Sequence, residues 1–164
     1  MSMLANPTFL FYQVMNSISL GMNLFIIATG LTLILGVLRV INFAHGAFFM
    51  FGAYVCWSTV TFLGGAIGSF WIGVIAAAVV LGLMAFVIER GLLRYLYERE
   101  HLTQLLFTFA IVLVVGDVAK MIWGTDQYNV PYPHGLKGAV NFGFAIYPAY
   151  PLLLCVIGVV VAVG

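Results

Sequence analysis

Long apolar runs separated by short polar ones set the rhythm of this chain. One run extends from Phe9 to Leu38 and stops at Arg39. A second extends from Ala47 to Leu63 and closes on Gly64-Gly65. A third covers Phe70 to Ile88 and ends abruptly at Glu89-Arg90, and a fourth covers Thr103 to Trp123. A polar, Pro/Gly-rich connection, Gly124 to Tyr147, leads into a last apolar run from Pro148 to Gly164. A helix crosses the hydrocarbon core with about 20 predominantly apolar residues. The pattern therefore predicts an all-α membrane protein, a polytopic transmembrane helix bundle of about five spans in one domain over residues 1–164. The first run is longer than a crossing requires, so its helix tilts, extends past the core or starts later than Phe9. The last run lacks flanking charge and aromatic anchors and reads as a helix cut off part-way, so the domain is expected to be incomplete.

Composition turns that pattern into a class. Hydrophobic residues make up 64% of the chain and charged residues 7%, whereas a soluble domain carries about a quarter charged residues. Five acids and six bases cannot clothe a water-facing shell, so the lipid bilayer is the main partner of the surface. The formal net charge of +1 excludes a polybasic nucleic-acid surface. Met1 to Thr8 contains no Lys or Arg and so lacks the basic region of a cleavable signal peptide; the first run is expected to stay as a span.

Lys and Arg also orient the spans. The connection Glu89 to His101 carries Arg90, Arg94 and Arg99, and the first connection carries Arg39. The connection after Trp123 has only Lys137, and the N-terminus and the turn at Gly64 to Ser69 have none. Basic connections stay in the cytoplasm, which puts the N-terminus and the Gly124–Tyr147 connection outside. Trp71, Trp123, Tyr128, Tyr132 and Tyr147 then fall near the outer interface, where amphipathic aromatics collect.

Within the spans, small residues and isolated polar groups mark faces. Ser17, Gly21, Ala28, Thr32 and Gly36 recur on one side of the first helix, and Gly73, Ala77 and Ala85 form a similar stripe on the third. Such stripes let backbones approach closely in lipid; they serve general helix packing, or place the first helix centrally against a partner or a path. Gln13, Asn16 and Asn23 make the first span more polar than a simple anchor, with hydrogen bonding across helices as their ordinary use. Asp117 and Lys120, three residues apart on the fourth span, can face one another as a self-neutralised pair or as an ion relay.

The segment Arg39-Val40-Ile41-Asn42-Phe43-Ala44-His45-Gly46 mixes apolar and polar residues between two spans. Gly46 is expected to permit a tight or left-handed turn into the second span. Asn42 and His45 either line a path through the membrane or cap and brace helix ends.

No constellation for catalysis appears. The chain has no phosphate-binding G-x-x-x-x-G-K-[ST] and no H-E-x-x-H. His45, His101 and His134 are scattered without metal spacing, and Cys56 and Cys155 sit singly inside apolar runs. Neither catalytic residues, a metal site nor a cofactor is expected, and the chain is not expected to be an enzyme.

The stretch from Ser19 to Gly46, continuing to Gly52-Ala53-Tyr54, resembles the N-terminal signature of the LivH-type permeases. The resemblance is specific around Gly30–Thr32 and Gly36–Gly46 and looser elsewhere. These permeases belong to the ABC importers for branched-chain amino acids, which also include urea and short-chain amide members. The resemblance implies a permease subunit in a bacterial inner membrane. Its implied partners are a LivM-like second permease subunit, two cytoplasmic ATP-binding subunits and a periplasmic or lipid-anchored substrate-binding protein. It places Asn42, His45 and Gly46 in the family's hallmark segment, with importance for the fold or the path; Asn16 is a further path candidate from its polarity. The Arg/Ala-rich segment that couples such permeases to their ATPases finds no counterpart here. The chain is therefore expected to be the N-terminal part of a permease, unable by itself to couple ATP hydrolysis to transport. A truncated, non-transporting membrane scaffold and an ion-coupled carrier using Asp117 and Lys120 are the competing readings.

Overall fold

A computed structural model describes residues 6–38, 42–95, 99–136 and 138–163. They form helices α1 (Pro7–Leu38), α2 (Ala44–Phe62), α3 (Ser69–Gly91), α4 (His101–Trp123) and α5 (Ala149–Val163). Single 3-10 turns occupy Leu93–Tyr95 and His134–Leu136, and two short strands, β1 (Ala139–Asn141) and β2 (Ile146–Pro148), precede α5. α1, α3 and α4 are long and apolar enough to cross a membrane. α5 is apolar but has 15 residues. α2 carries His45, Tyr54, Ser58, Thr59 and Thr61 among its 19 residues. It also buries Ala44, Ala47, Gly52, Cys56 and Val60, while its polar residues are half-buried or exposed.

Local chemistry sets the helix ends. Pro7 opens α1 at a position where its missing N–H removes no bond, and the Asn6 Oδ1 accepts the Thr8 amide at 3.0 Å. Behind α2, Gly64 and Gly65 take left-handed φ values of 61° and 67°. The Gly65 amide donates to Val60 O and the Gly64 amide to Thr61 O, each at 3.0 Å, which closes the last carbonyls in a Schellman motif. Gly124, at φ 79°, ends α4 with its amide on Lys120 O at 2.8 Å.

α2 begins at Ala44, three residues ahead of the sequence expectation, and takes His45 and Gly46 into its first turn. Gly46 is helical and is not among the glycines of positive φ, so the expected left-handed turn at that residue is corrected. Arg39 and Lys137, which entered the orientation argument, lie outside the described residues.

Two compact units result, Met1–Thr32 with His134–Gly164, and Leu33–Pro133. In the second unit α2 and α3 run antiparallel in close contact: a Cβ on Gly73 would sit 3.0 Å from Cys56 Sγ and Val60 Cγ2 and 3.1 Å from Cys56 O. Toward the other end of the pair, a Cβ on Gly52 would meet Leu81 Cδ1 at 2.6 Å. Glycine at these positions lets the backbones approach, and dispersion between close-packed atoms holds them where lipid removes the hydrophobic drive. Of the predicted stripe on α3, Gly73 is buried, Ala77 half-buried and Ala85 exposed.

In the first unit β1 and β2 pair antiparallel, Val140 opposite Tyr147 and Asn141 opposite Ile146. Gly143 turns the hairpin at φ 87°, and its amide donates to Asn141 Oδ1 at 2.8 Å. The hairpin is fastened to the start of α1. The Phe11 ring meets those of Phe142 and Phe144 with centroids 5.5 and 5.0 Å apart. The Tyr12 hydroxyl donates to Ile146 O at 3.1 Å and accepts the Ile146 amide at 3.2 Å. Strands of three residues are too short to show alternation in the sequence pattern.

Candidate functional site

One face of α2 collects the residues from which a site is built. Met50, Ala53, Tyr54 and Trp57 follow i, i+3, i+4, i+7 spacing and so share a side of the helix. Against that side stands the end of α4. The Trp123 indole Nε1 donates to Ser58 Oγ at 2.6 Å, the ring stacks on Tyr54 at 5.1 Å and 20°, and it meets Phe51 edge-on at 5.2 Å. The chain after Gly124 turns back along the same face. Tyr128 lies against Trp57 with centroids 4.0 Å apart and against Tyr54 at 6.2 Å, and its hydroxyl donates to Trp123 O at 2.8 Å.

This return path borders an open cavity of about 390 Å³ lined by Met50, Ala53, Tyr54 and Trp57 on one side and by residues 125–130 on the other. That volume falls within the range of small-molecule sites, roughly 300–1,000 Å³. The returning segment, Thr125-Asp126-Gln127-Tyr128-Asn129-Val130, is polar and forms no regular element. Within it the Tyr128 ring packs against Tyr54 and Trp57 of α2. Trp123 and Tyr128, expected near the outer interface, hold the end of α4 and the following connection against α2. The aromatic spacing of Tyr54 and Trp57 was the sequence signal for this face, but their partners lie some 70 residues away and no local pattern links them.

The residues singled out from sequence take distinct places. Asn42 caps: its Oδ1 accepts the Ala44 amide at 3.0 Å, and its carbonyl meets the His45 amide at 3.4 Å. His45 is half-buried and Gly46 exposed in the first turn of α2, and a Cβ on Gly46 would meet nothing within 4 Å. Asn16 is engaged by the hairpin rather than by another helix, its Oδ1 accepting the Tyr147 hydroxyl at 2.9 Å. Tyr147 is 3% exposed, and burial raises its phenol pKa above the ordinary value, with a hydrogen bond to Ser19 working in the opposite sense and the nearby Cys155 adding to the rise.

Along the small-residue stripe of α1, contacts within the described residues are few. Ser17 and Thr32 turn their hydroxyls back onto the carbonyls of Gln13 and Ala28 at 2.8 and 2.9 Å. A Cβ on Gly21 or Gly36 would meet nothing within 4 Å. The close approach on this helix comes from Met22, whose Sδ would lie 2.8 Å from a Cβ on Gly158 of α5. Lys120 Nζ and Asp117 Oδ1 form an ion pair at 3.2 Å, both side chains well exposed. At the opposite end of α3, Arg90 and Arg94 line a second cavity of about 450 Å³ with Phe86 and Glu89, and the Arg90 guanidinium lies 5.8 Å from the Phe86 ring centroid. Among the described residues no three His, Cys, Asp or Glu side chains are grouped to hold a metal.

Comparison with known proteins bears on what this arrangement serves. A family model described as branched-chain amino acid transport system / permease component matches residues 13–163. The chain is similar to the high-affinity branched-chain amino acid transport system permease protein BraD of Pseudomonas aeruginosa, 37% identical over 51 residues. It is also similar to the permease protein LivH of the corresponding system of Escherichia coli strain K12, 44% identical over 43 residues. The aligned stretches cover 31% and 26% of this chain but only 17% and 14% of those relatives. No solved structure matches the chain.

Proposed function

This chain belongs to the permease-component family of branched-chain amino acid transport systems, and on that premise we propose that it forms part of the translocation path of an ABC importer for branched-chain amino acids. The observation that carries the proposal is the polar segment 125–130, folded back along α2 to line a cavity of about 390 Å³ in a chain otherwise built for lipid. A pure anchor has no use for a polar segment lining a cavity on one of its helices, whereas a solute path needs polar groups beside water.

The family implies the remaining parts: a LivM-like second permease subunit, two cytoplasmic ATP-binding subunits and a substrate-binding protein on the outer side of a bacterial inner membrane. Lys and Arg distribution supports an outward N-terminus, with Arg90, Arg94 and Arg99 facing the cytoplasm. Chemistry on nucleotide belongs to the ATP-binding partners in this reading, and the permease contributes shape and polarity. The domain of residues 1–164 acts as one section of the permease.

The test is uptake of radiolabelled leucine, isoleucine and valine by cells carrying the importer, compared with cells in which the gene encoding this chain is disrupted. Loss of ATP-dependent uptake on disruption supports the reading. Unchanged amino acid uptake with loss of urea or short-chain amide uptake moves the substrate within the family. Unchanged uptake of all of them overturns the transport reading and leaves a scaffold.

A further inference from the structure

The cavity between α2 and segment 125–130 has a chemistry more specific than a path for any small solute. Its α2 wall offers the rings of Tyr54 and Trp57, and the opposite wall carries the carboxylate of Asp126. No Lys or Arg is among the described lining residues. The rings are held in place: Tyr54 by its stack on Trp123, which is itself tied to Ser58, and Trp57 by Tyr128. Fixed aromatic rings and an exposed carboxylate on one cavity attract a cation by the ring quadrupole and by charge. Met50, Ala53 and Val130 extend the lining with apolar surface, which suits a short branched alkyl stem.

We infer that this cavity is a binding site for a primary ammonium group carried on a short apolar stem, with Asp126 as counter-ion and Tyr54 and Trp57 as the aromatic wall. The inference rests on the permease reading for its physiological ligand, the α-ammonium of a branched-chain amino acid. The same chemistry is present in an ethanolamine phospholipid headgroup, so the source has to be separated by experiment. Asp126 acts by contact with the ligand and not by proton transfer.

The test uses the complete importer in nanodiscs, titrated with leucine, 3-methylbutylammonium and isovalerate while tryptophan emission is followed. The ammonium compound and leucine are expected to perturb the emission saturably and isovalerate to leave it unchanged. Asp126→Asn, an exposed position, is expected to keep the melting temperature and to weaken ammonium binding by about tenfold or more, the loss of one charge-assisted contact. Trp57→Phe is expected to remove most of the emission change. Equal binding of isovalerate, or ammonium binding indifferent to Asp126→Asn, overturns the site. Weaker ammonium binding in nanodiscs rich in phosphatidylethanolamine than in phosphatidylcholine nanodiscs of the same net charge assigns the ammonium source to lipid, and equal binding assigns it to the transported solute; both keep the site. Leucine uptake measured on the same preparation keeps the two readings apart. Absent uptake with intact ammonium binding defeats the transport reading alone, and intact uptake without ammonium binding defeats the site alone.

Discussion

The indole of Trp123 donates to the hydroxyl of Ser58 at 2.6 Å, and this bond joins the last residue of α4 to α2 one turn before the end of α2. Around it the rings of Phe51, Tyr54 and Tyr128 gather, so the bond sits in an aromatic cluster. In such surroundings an unpaired N–H has no water to turn to. Ser58→Ala is expected to lower stability by about 1–3 kcal/mol, the penalty for leaving a donor unsatisfied. Thermal unfolding in detergent, with the double variant Ser58→Ala/Trp123→Phe included, measures it. Two single effects that simply add in the double variant would show that the bond contributes nothing of its own.

Gly73 and Gly21 differ in what surrounds them, although both belong to predicted small-residue stripes. Gly73→Ala drives a methyl into Cys56 and Val60, including the Cys56 carbonyl, and is expected to destabilise by about 1–3 kcal/mol, as overpacking does. Gly21→Ala meets open space and is expected to leave the melting temperature unchanged or slightly raised. Equal effects of the two substitutions would contradict the α2–α3 contact.

Asn42 has a defined structural use at the start of α2. Asn42→Ala is expected to destabilise by about 1 kcal/mol through loss of the cap, and Asn42→Asp to be neutral, since either side chain accepts the amide. Stability and leucine uptake are measured together. An Asn42→Asp variant with full stability but abolished uptake would return Asn42 to the path.

Asp117 and Lys120 form an exposed pair, and exposed pairs contribute about 0–1 kcal/mol. Removing one partner leaves an uncompensated charge on a membrane-crossing helix, whereas removing both leaves none. Asp117→Leu/Lys120→Leu is therefore expected to be more stable than either single variant and to retain uptake. Uptake lost in the double variant at normal expression would favour the ion relay.

The raised pKa of Tyr147 sets a pH dependence. A raised folded value means that the neutral phenol is favoured by folding, so its contribution is full below the unfolded pKa of about 10. It is lost as pH rises through the folded value. The melting temperature of the wild type relative to Tyr147→Phe is expected to be constant from neutral pH to about pH 9 and to fall above it. A difference that already declines below neutrality would exclude the phenol as its source.

The five helices were legible from hydropathy alone because each apolar run must hydrogen-bond its own backbone in lipid, and only a helix does so within one segment. Gly64-Gly65 and Gly124 marked helix ends for an equally local reason, the left-handed turn that closes a helix. The start of α2 was misplaced because Ala44, His45 and Gly46 look like a mixed loop by composition, while the Asn42 side chain supplies the cap that lets the helix begin there. Gly73 was read as a packing residue, but so was Gly21. Whether a small residue meets a neighbour depends on which helix arrives opposite it, and that is a property of the tertiary arrangement. The candidate site depends on the same kind of fact. Tyr54, Trp57, Asp126 and Tyr128 are scattered over a helix and a distant connection; only the return of residues 125–130 along α2 makes them line one cavity. The sequence by itself determined a lipid-embedded helical protein, its spans and its polar exceptions, since those follow from the solvent each segment requires. The tertiary structure decided which exceptions meet, because ring stacking, the Trp123–Ser58 bond and glycine contacts act between segments far apart in the chain.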